Sequence, residues 1–372
     1  MIPINKPILG EEETRAVLEV MKSGYLTDPS PEGGQKVREF EKALADYLGV
    51  KEVIALNSGT AALYSSLLAL GVKKGDEVLL PSFTFPATAN AVLMTGASPE
   101  FVDVDKSDFT LDIRDLRAKV RKRSKAVIPV HLYGYPCRMD EISEICTKRG
   151  IAIVEDAAQS LGATYKTRQT GSIGTLGCLS FYGSKVITCG EGGAVATNDR
   201  VIAEKIRLIR TQGVAGEKGS RVFGFNMRMP EILAAMGLAQ MKRLSGFLST
   251  RRKNAETLRS LISRVHGIAL PKRDADRVGN WYVFTIRVSS ERDHVAKFLN
   301  KNGVQAAVYY KVPVHRSVLY SRLGYQKLQL PNTDWAAEHV LSLPVHPSVK
   351  PEELEAMASY LKRAITYFGV NR

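Results

Sequence analysis

The chain has 372 residues, 44% hydrophobic and 24% charged, with a formal net charge of +14. That length points to two domains, or to one large domain with a smaller companion, and it carries ample apolar content for a core. No run approaches the roughly 18 apolar residues of a membrane span, MIPINKPILGEEE lacks the pattern of a secretory leader, and the scattered basic residues form no nucleic-acid module.

Neither nucleic acid nor membrane is therefore an expected partner. Cys137, Cys146, Cys178 and Cys189 show no CxxC spacing. A cytoplasmic setting without a cysteine metal site is expected.

In chain order, Gly10 to Ser23 reads as a helix whose GEEE start places carboxylates at the positive end of the dipole. A second helix, Val37 to Leu48, stops at Gly49. A strand over Glu52 to Leu56 then runs through Asn57, Ser58, Gly59 and Thr60 into a helix of small and apolar residues. Backbone N–H groups at such a helix start face an anion, and Thr60 adds a hydroxyl. The turn is a phosphate cradle or, more simply, a helix cap.

Strand Glu77 to Leu80, a loop with Phe85, a helix, strand Pro99 to Asp105, helix Asp112 to Val120, strand Lys125 to Gly134 and helix Met139 to Lys148 follow. This alternation argues for a parallel sheet wound with helices. His131 ends a strand beside Tyr133, either near a site or as a structural histidine.

Ile151 to Ser160 (IAIVEDAAQS) is an apolar strand ending on Glu155 and Asp156, with Gln159 on the next turn. Cys178 to Asn198 is two strand-like runs around a turn-rich loop that carries Lys185 among Gly183, Gly190, Gly192 and Gly193. Lysine is seldom buried unless paired or functional. Desolvated, it gives up its proton easily, and the neutral amine attacks carbonyls. A strand-end carboxylate and a lysine on a nearby turn are what pyridoxal phosphate (PLP) needs. The lysine holds the cofactor as a Schiff base, and the carboxylate pairs with the pyridinium nitrogen. Taken singly, the lysine reads as a solvated charge and the aspartate as a helix cap; the combination points to PLP.

Helix Val201 to Arg210 leads into the glycine-rich TQGVAGEKGSRVFGFNMRMPEI, which reads as a mobile lid or interface loop. MPEILAAMGLAQMKRL is an amphipathic helix reaching Phe247. From Leu248 the character changes, and RRKNAETLRSLI reads as a charged helix bridging domains. The expected division is a large PLP-binding domain over 1–247, with an N-terminal segment that is a candidate to pack on the other domain, and a small domain over 248–372. The latter holds strand Trp281 to Val288, helix Arg292 to Asn302, strand Val304 to Tyr309 and helix Pro351 to Phe368. Its proline-rich loops VYYKVPVHRS and LSLPVHPSV carry His315 and His346.

VEDAAQS, SFYGSK, GEGGAVATND and GFNMRM, in that order, resemble the DegT/DnrJ/StrS family of PLP-dependent sugar aminotransferases. The similarity runs from IPINKPILGEEE to LSLPVHPSVKPEELE. The resemblance implies the fold type I PLP-transferase architecture. That is an α/β protein with a large, mostly parallel, seven-stranded sheet domain and a smaller C-terminal α/β domain. It also implies amino transfer from glutamate or glutamine to a keto-sugar linked to a nucleotide diphosphate, with Lys185 and Asp156 catalytic. Ser58, Gly59, Thr60, Ala61 and Ser180 match phosphate contacts. Phe85 matches a ring-stacking aromatic, and Gln159 a contact to the ring hydroxyl or far ring face.

Asn226 matches an asparagine that crosses a homodimer interface to the partner's cofactor phosphate, with Arg228 nearby. The alternative is that Asn226 caps the helix starting near Pro230 and Arg228 is a surface charge. Tyr310 and His315 lie in YYKVPVH, a loop that touches sugar in the family. Relatives with histidine in place of the lysine are sugar dehydratases, which Lys185 disfavours. Another PLP enzyme of this fold, or a non-catalytic binding protein on this scaffold, stays open, as does the identity of the acceptor.

Overall fold

The structure, a computed structural model, describes residues 1–214 and 219–369. Seven strands form the central sheet: β1 (Glu52–Leu56), β2 (Glu77–Pro81), β3 (Ser98–Val102), β4 (Ser124–Val127), β5 (Ala152–Asp156), β6 (Leu176–Ser180) and β7 (Gly193–Thr197). Their spatial order is β1-β7-β6-β5-β4-β2-β3. Strands β2 to β6 pair in parallel, while β7 is antiparallel to both β1 and β6.

These strands read as near-continuous apolar runs because helices cover both faces. In β1, Ile54 and Leu56 join the core beneath helix α3 (Gly59–Ala69), whereas Val53 and Ala55 face Phe40 and Leu44 on the other side, in helix α2 (Gln35–Leu48), which follows α1 (Glu11–Ser23). That is the period-two alternation of a strand. The topology has a consequence for function. The C-terminal ends of β1, β2, β5 and β6 and the start of β7 all reach one edge of the sheet.

A second core gathers Ala255, Leu258 and Ile262 with Phe284, Ile286, Leu341, Leu343, Met357 and Leu361. It is built on a three-stranded antiparallel sheet of β8 (Ile268–Ala269), β9 (Phe284–Val288) and β10 (Val340–Leu343). Ile2 belongs to this core, and its backbone bonds to Gly303 and Gln305. One unbroken helix, Glu231–Ile262, runs past both cores. Leu244 and Phe247 pack on the first and Ala255 onward on the second. On this ground we propose the large and small domains divide near residue 248.

Several elements differ from the sequence-based expectation. The strand expected to reach Gly134 ends at Val127, because Pro129 has no N–H for the ladder, and a short 3₁₀ turn, Leu132–Gly134, follows. Val304 to Tyr309 makes only isolated bridges, Val304 with Ile2 and Ala307 with Ser342. The small sheet instead takes Val340–Leu343, an apolar run before Pro344 that reads as loop. The glycine-rich segment after Arg210 is pinned where it is described, with bridges Thr211–Asn226 and Val214–Ser220, and residues 215–218 of that expected lid lie outside the described residues. Among the described residues no helix is long and apolar enough to cross a membrane.

Candidate active site

A cavity of about 520 Å³ opens at the sheet edge where β1, β2, β5 and β6 end. Ser58, Gly59 and Thr60 arrive on the β1 turn, Phe85 after β2, Asp156 and Gln159 from β5, Ser180 at the end of β6, and Lys185 on the loop before β7. Tyr310 comes from the small-domain side. Sequence separations of more than 250 residues thus close on one space.

The cradle is built by a helix start. Ser58 is the extended N-cap of α3, and its Oγ accepts the N–H of Ala61 at 3.1 Å. The amides of Gly59 and Thr60, in the first turn, find no acceptor among the described residues. They are therefore available to an anion. The cradle is packed tightly enough to require glycine. A Cβ on Gly59 would lie 2.9 Å from Ser180 Cβ, and one on Gly193 only 2.3 Å from the Ser58 carbonyl oxygen. Asn57 N–H donates to the Met227 carbonyl at 3.0 Å, which fastens the GFNMRM segment to the same turn.

Adjacent residues of β5 point to opposite faces, and this separates the two carboxylates. Asp156 lines the cavity; its Oδ2 accepts the Thr88 hydroxyl at 2.8 Å and its Oδ1 the Ala158 N–H at 3.2 Å. Burial pushes its carboxyl above the ordinary range, opposed by Thr88, Ala158 and the Lys185 charge. A cation placed opposite would relieve that penalty. Glu155 is fully buried on the other face. Its carboxylate accepts the N–H groups of Gly171 (2.8 Å), Ile173 (2.6 Å) and Gly174 (2.6 Å), and His131 Nε2–H at 2.9 Å. Burial works against this charge, but His131 and the backbone donors outweigh it and hold the carboxyl below its ordinary value. Cys137 N–H donates to His131 Nδ1 at 3.0 Å, which leaves the ring proton on Nε2. His131 is thus a scaffold residue that orders the loop after β5.

Lys185 is half-buried and makes no ion pair among the described residues. Its Nζ sits 5.1 Å from the centre of the Tyr282 ring, and the Tyr282 hydroxyl lies 3.1 Å from Ser184 Oγ. Gln159 is held at both ends: Oε1 accepts Tyr133 N–H at 2.7 Å, and Nε2 donates to the Tyr310 hydroxyl at 3.0 Å. Phe85 is 59% exposed at the rim, its ring 6.2 Å from that of Tyr310. A large aromatic left uncovered at a cavity mouth is a surface for a flat ligand.

The other sequence candidates lie elsewhere. Ala61 is spent on the Ser58 cap. Asn226 is exposed and off the cavity wall, bonded through its carbonyl to Asn57. It does not cap the long helix, whose N-cap is Pro230 without a side-chain bond. Arg228 is half-buried and also off the wall. His315 is not brought to this cavity: it is fully buried, with Nδ1 2.7 Å from Ser82 Oγ. Burial lowers its imidazole to about 4. Sequence reasoning missed Thr88 and Tyr282, which meet Asp156 and Lys185 only through tertiary packing, and Ser184, which precedes Lys185 in the chain and meets the Tyr282 hydroxyl.

The cavity offers an amine, a buried carboxylate, an anion cradle and a flat aromatic rim, the set a pyridoxal phosphate enzyme requires. The chain belongs to the DegT/DnrJ/EryC1/StrS aminotransferase family, whose sequence model matches residues 7–362. A GDP-perosamine synthase of Caulobacter vibrioides is 36% identical over 372 residues, covering 98% of each chain. Among solved structures, the aminotransferase TlmJ of Streptoalloteichus hindustanus superposes with a TM-score of 0.93 at 32% identity, covering 99% of both chains. S. venezuelae DesV, solved in complex with a ketimine intermediate, gives 0.90 at 33% identity, covering 95% of this chain and 94% of that one.

Proposed function

We propose that this chain is a PLP-dependent aminotransferase that moves an amino group from glutamate or glutamine to the keto carbon of a nucleotide-diphosphate-linked sugar. The observation that carries the reading is Lys185 and Asp156 lining one cavity that also holds an anion cradle. The acceptor class rests on the similarity to a GDP-perosamine synthase across nearly the whole chain.

Bound PLP supplies an electron sink for the carbon that exchanges its amino group. Ser58 Oγ, the Gly59 and Thr60 amides and Ser180 would hold its phosphate. Asp156 would face the ring nitrogen and keep it protonated, which answers the unfavourable burial of that carboxylate. Phe85 and Gln159 would flank the ring. Lys185 Nζ would anchor the cofactor at rest, then lift the proton from the donor's α-carbon and return it during transfer. Tyr310, fixed by Gln159, stands where an acceptor enters; Arg228 and His315 would reach substrate only through movement or a partner chain.

The same reading includes a homodimer with shared sites. Asn226 is exposed beside the cradle, its side chain without a bond among the described residues, as a residue that reaches a partner's phosphate would be. The cytoplasm is the proposed location; all four cysteines are buried and unpaired.

One experiment tests the reaction and the sharing. Amine transfer is measured on a panel of nucleotide-linked keto-sugars for the parent, Lys185→Ala, Asn226→Asp and co-refolded mixtures of the two. We expect Lys185→Ala to be inactive, and a mixed dimer to recover activity because one of its sites carries neither change. A fully active Lys185→Ala enzyme would end the mechanism. Proven mixed dimers without recovery, with Asn226→Asp inactive alone, would end the shared site.

A further inference from the structure

Behind the proposed cofactor cavity lies a second cavity of about 460 Å³, between the two cores. The two share no lining residue. One wall is Tyr133, Gly134 and Tyr135; the other runs from Leu270 through Trp281 to Arg287. It continues past Arg287 and Ser107 into a groove flanked by Trp335.

Its electrostatics are unbalanced. Arg273 pairs with Glu256, and Arg277 with Asp108 and Asp274. Among the described residues, Arg252, Lys272 and Arg287 on the same lining pair with no carboxylate. Lys272 reaches only Ser107 Oγ at 3.4 Å, and Arg287 only the Lys106 carbonyl at 3.5 Å. Partial burial lowers the Arg287 guanidinium from its ordinary value. The Tyr135 hydroxyl, on the same lining, is buried with no hydrogen-bond partner. A buried hydroxyl without a partner is uncommon and calls for one. Phe109, Leu270, Pro271, Trp281 and Val283 give the lining an apolar stretch.

Three unpaired cations beside an apolar, aromatic wall fit an anion that also carries a flat ring. The volume is that of a small-molecule site. We propose that this cavity is a second ligand site, separate from the cofactor cavity, for a nucleoside phosphate: phosphates on Arg252, Lys272 and Arg287, base against the Trp281 wall. The two cavities share a partition. Tyr133 lines the rear cavity while its N–H holds Gln159 in front, and Trp281 lines the rear while Tyr282 lines the front. Tyr133 (φ 59°) and Trp281 (φ 57°) both hold left-handed backbone. Such residues persist only where their surroundings fix them. A ligand against them acts on the partition directly. The site stands whatever acceptor the front cavity takes.

The chain's two tryptophans, Trp281 and Trp335, line the cavity and its groove, so occupancy is readable by emission. In cofactor-loaded Trp335→Phe enzyme, only Trp281 reports. We expect guanosine, uridine or adenosine diphosphate to change that emission saturably. The midpoint should weaken about tenfold or more in the Arg252→Ala/Arg287→Ala variant, and inorganic diphosphate should bind about tenfold more weakly than the nucleotides. Arg252 and Arg287 form no ion pair with a described carboxylate, so removing them breaks none. Lys272→Ala serves as an independent variant should the double variant not fold. No saturable change with any of the three nucleotides, or a midpoint unmoved by loss of the cations, would overturn the site. Diphosphate binding as tightly as the nucleotides would overturn the ring-bearing ligand.

Discussion

Exchanging Glu155 and Asp156 each for its amide should separate scaffold from chemistry. Glu155 Oε1 accepts two N–H groups, from Ile173 and Gly174, and Oε2 accepts two more, from Gly171 and His131. An amide has one acceptor end, so Glu155→Gln sets its NH₂ against two of these donors whichever way it lies. His131 cannot swap tautomer to help, because Cys137 N–H already occupies Nδ1. Two buried donors left unsatisfied, at about 1–3 kcal/mol each, give a loss of about 2–6 kcal/mol. Asp156→Asn behaves differently. Its oxygen can stay against Ala158 N–H while its NH₂ faces Thr88 Oγ1, which then turns its own proton to Thr84 Oγ1 at 2.9 Å. Every group keeps a partner, and a carboxyl whose charge is penalised by burial becomes neutral. The stability of the cofactor-free protein should change by less than about 1 kcal/mol, while amine transfer falls about a hundredfold or more. Denaturant unfolding of both cofactor-free variants, beside steady-state transfer assays, measures the two effects. Glu155→Gln within about 1 kcal/mol of the parent, or Asp156→Asn as damaging to the fold as Glu155→Gln, would refute the assignment.

Gly59→Ala forces a Cβ to within 2.9 Å of Ser180 Cβ and 3.4 Å of the Leu179 carbonyl oxygen, so the cradle and the end of β6 must part. PLP should bind about tenfold or more weakly by absorbance titration. Gly246→Ala, with no atom within 4 Å of the new Cβ, should bind it normally; equal affinity in both variants would move the phosphate elsewhere. His346 is fixed in its neutral form, with Nε2–H donating to the Pro3 carbonyl at 3.0 Å and Nδ1 accepting Ser348 N–H at 3.3 Å, and burial lowers its imidazole to about 4. Because the folded value lies below the ordinary one near 6.5, the unfolded chain binds the proton first, and stability is lost as pH falls from about 6.5 toward 4. Calorimetric unfolding midpoints should drop across that window, less steeply in His346→Gln; a level profile in the parent would contradict this.

Much of the site was legible in sequence because it sits where strands end. Strand β1 was placed to the residue, since a short run buried on both faces stops sharply at Asn57, Ser58 and Gly59. Sequence could not fully decide between Glu155 and Asp156: adjacent carboxylates on a strand face opposite ways, and which face holds the cavity is a property of the sheet. The His131–Glu155 pair joins residues 24 apart through parallel strands, and no local pattern announces it. Strand β10 reads as loop in the sequence because prolines follow it at once, though its four residues are fully buried against β9. The aromatic, β-branched run places Tyr282 in a strand, but the strand begins at Phe284, since the left-handed Trp281 turns the chain just before it.

That turn is held by the least expected residue of the long helix. Arg251 is almost wholly buried, and its guanidinium meets no carboxylate among the described residues. It donates instead to the carbonyls of Tyr282 (3.0 Å) and Trp281 (3.3 Å) and to Asn5 Oδ1 (2.9 Å). Burial lowers it to about 10, which leaves it charged at neutral pH. Three oxygen acceptors offset part of the cost of a cation in the interior. What the arrangement secures is the position of residues 281 and 282. With their carbonyls fixed, the Tyr282 ring stays over Lys185 Nζ and its hydroxyl on Ser184. The helix that carries Arg251 also carries Leu244 into the first core and Leu258 into the second. The placement of one face of the cavity is therefore set by the small core and the N-terminal segment that carries Asn5, through a helix that is continuous with the core beneath the lysine loop.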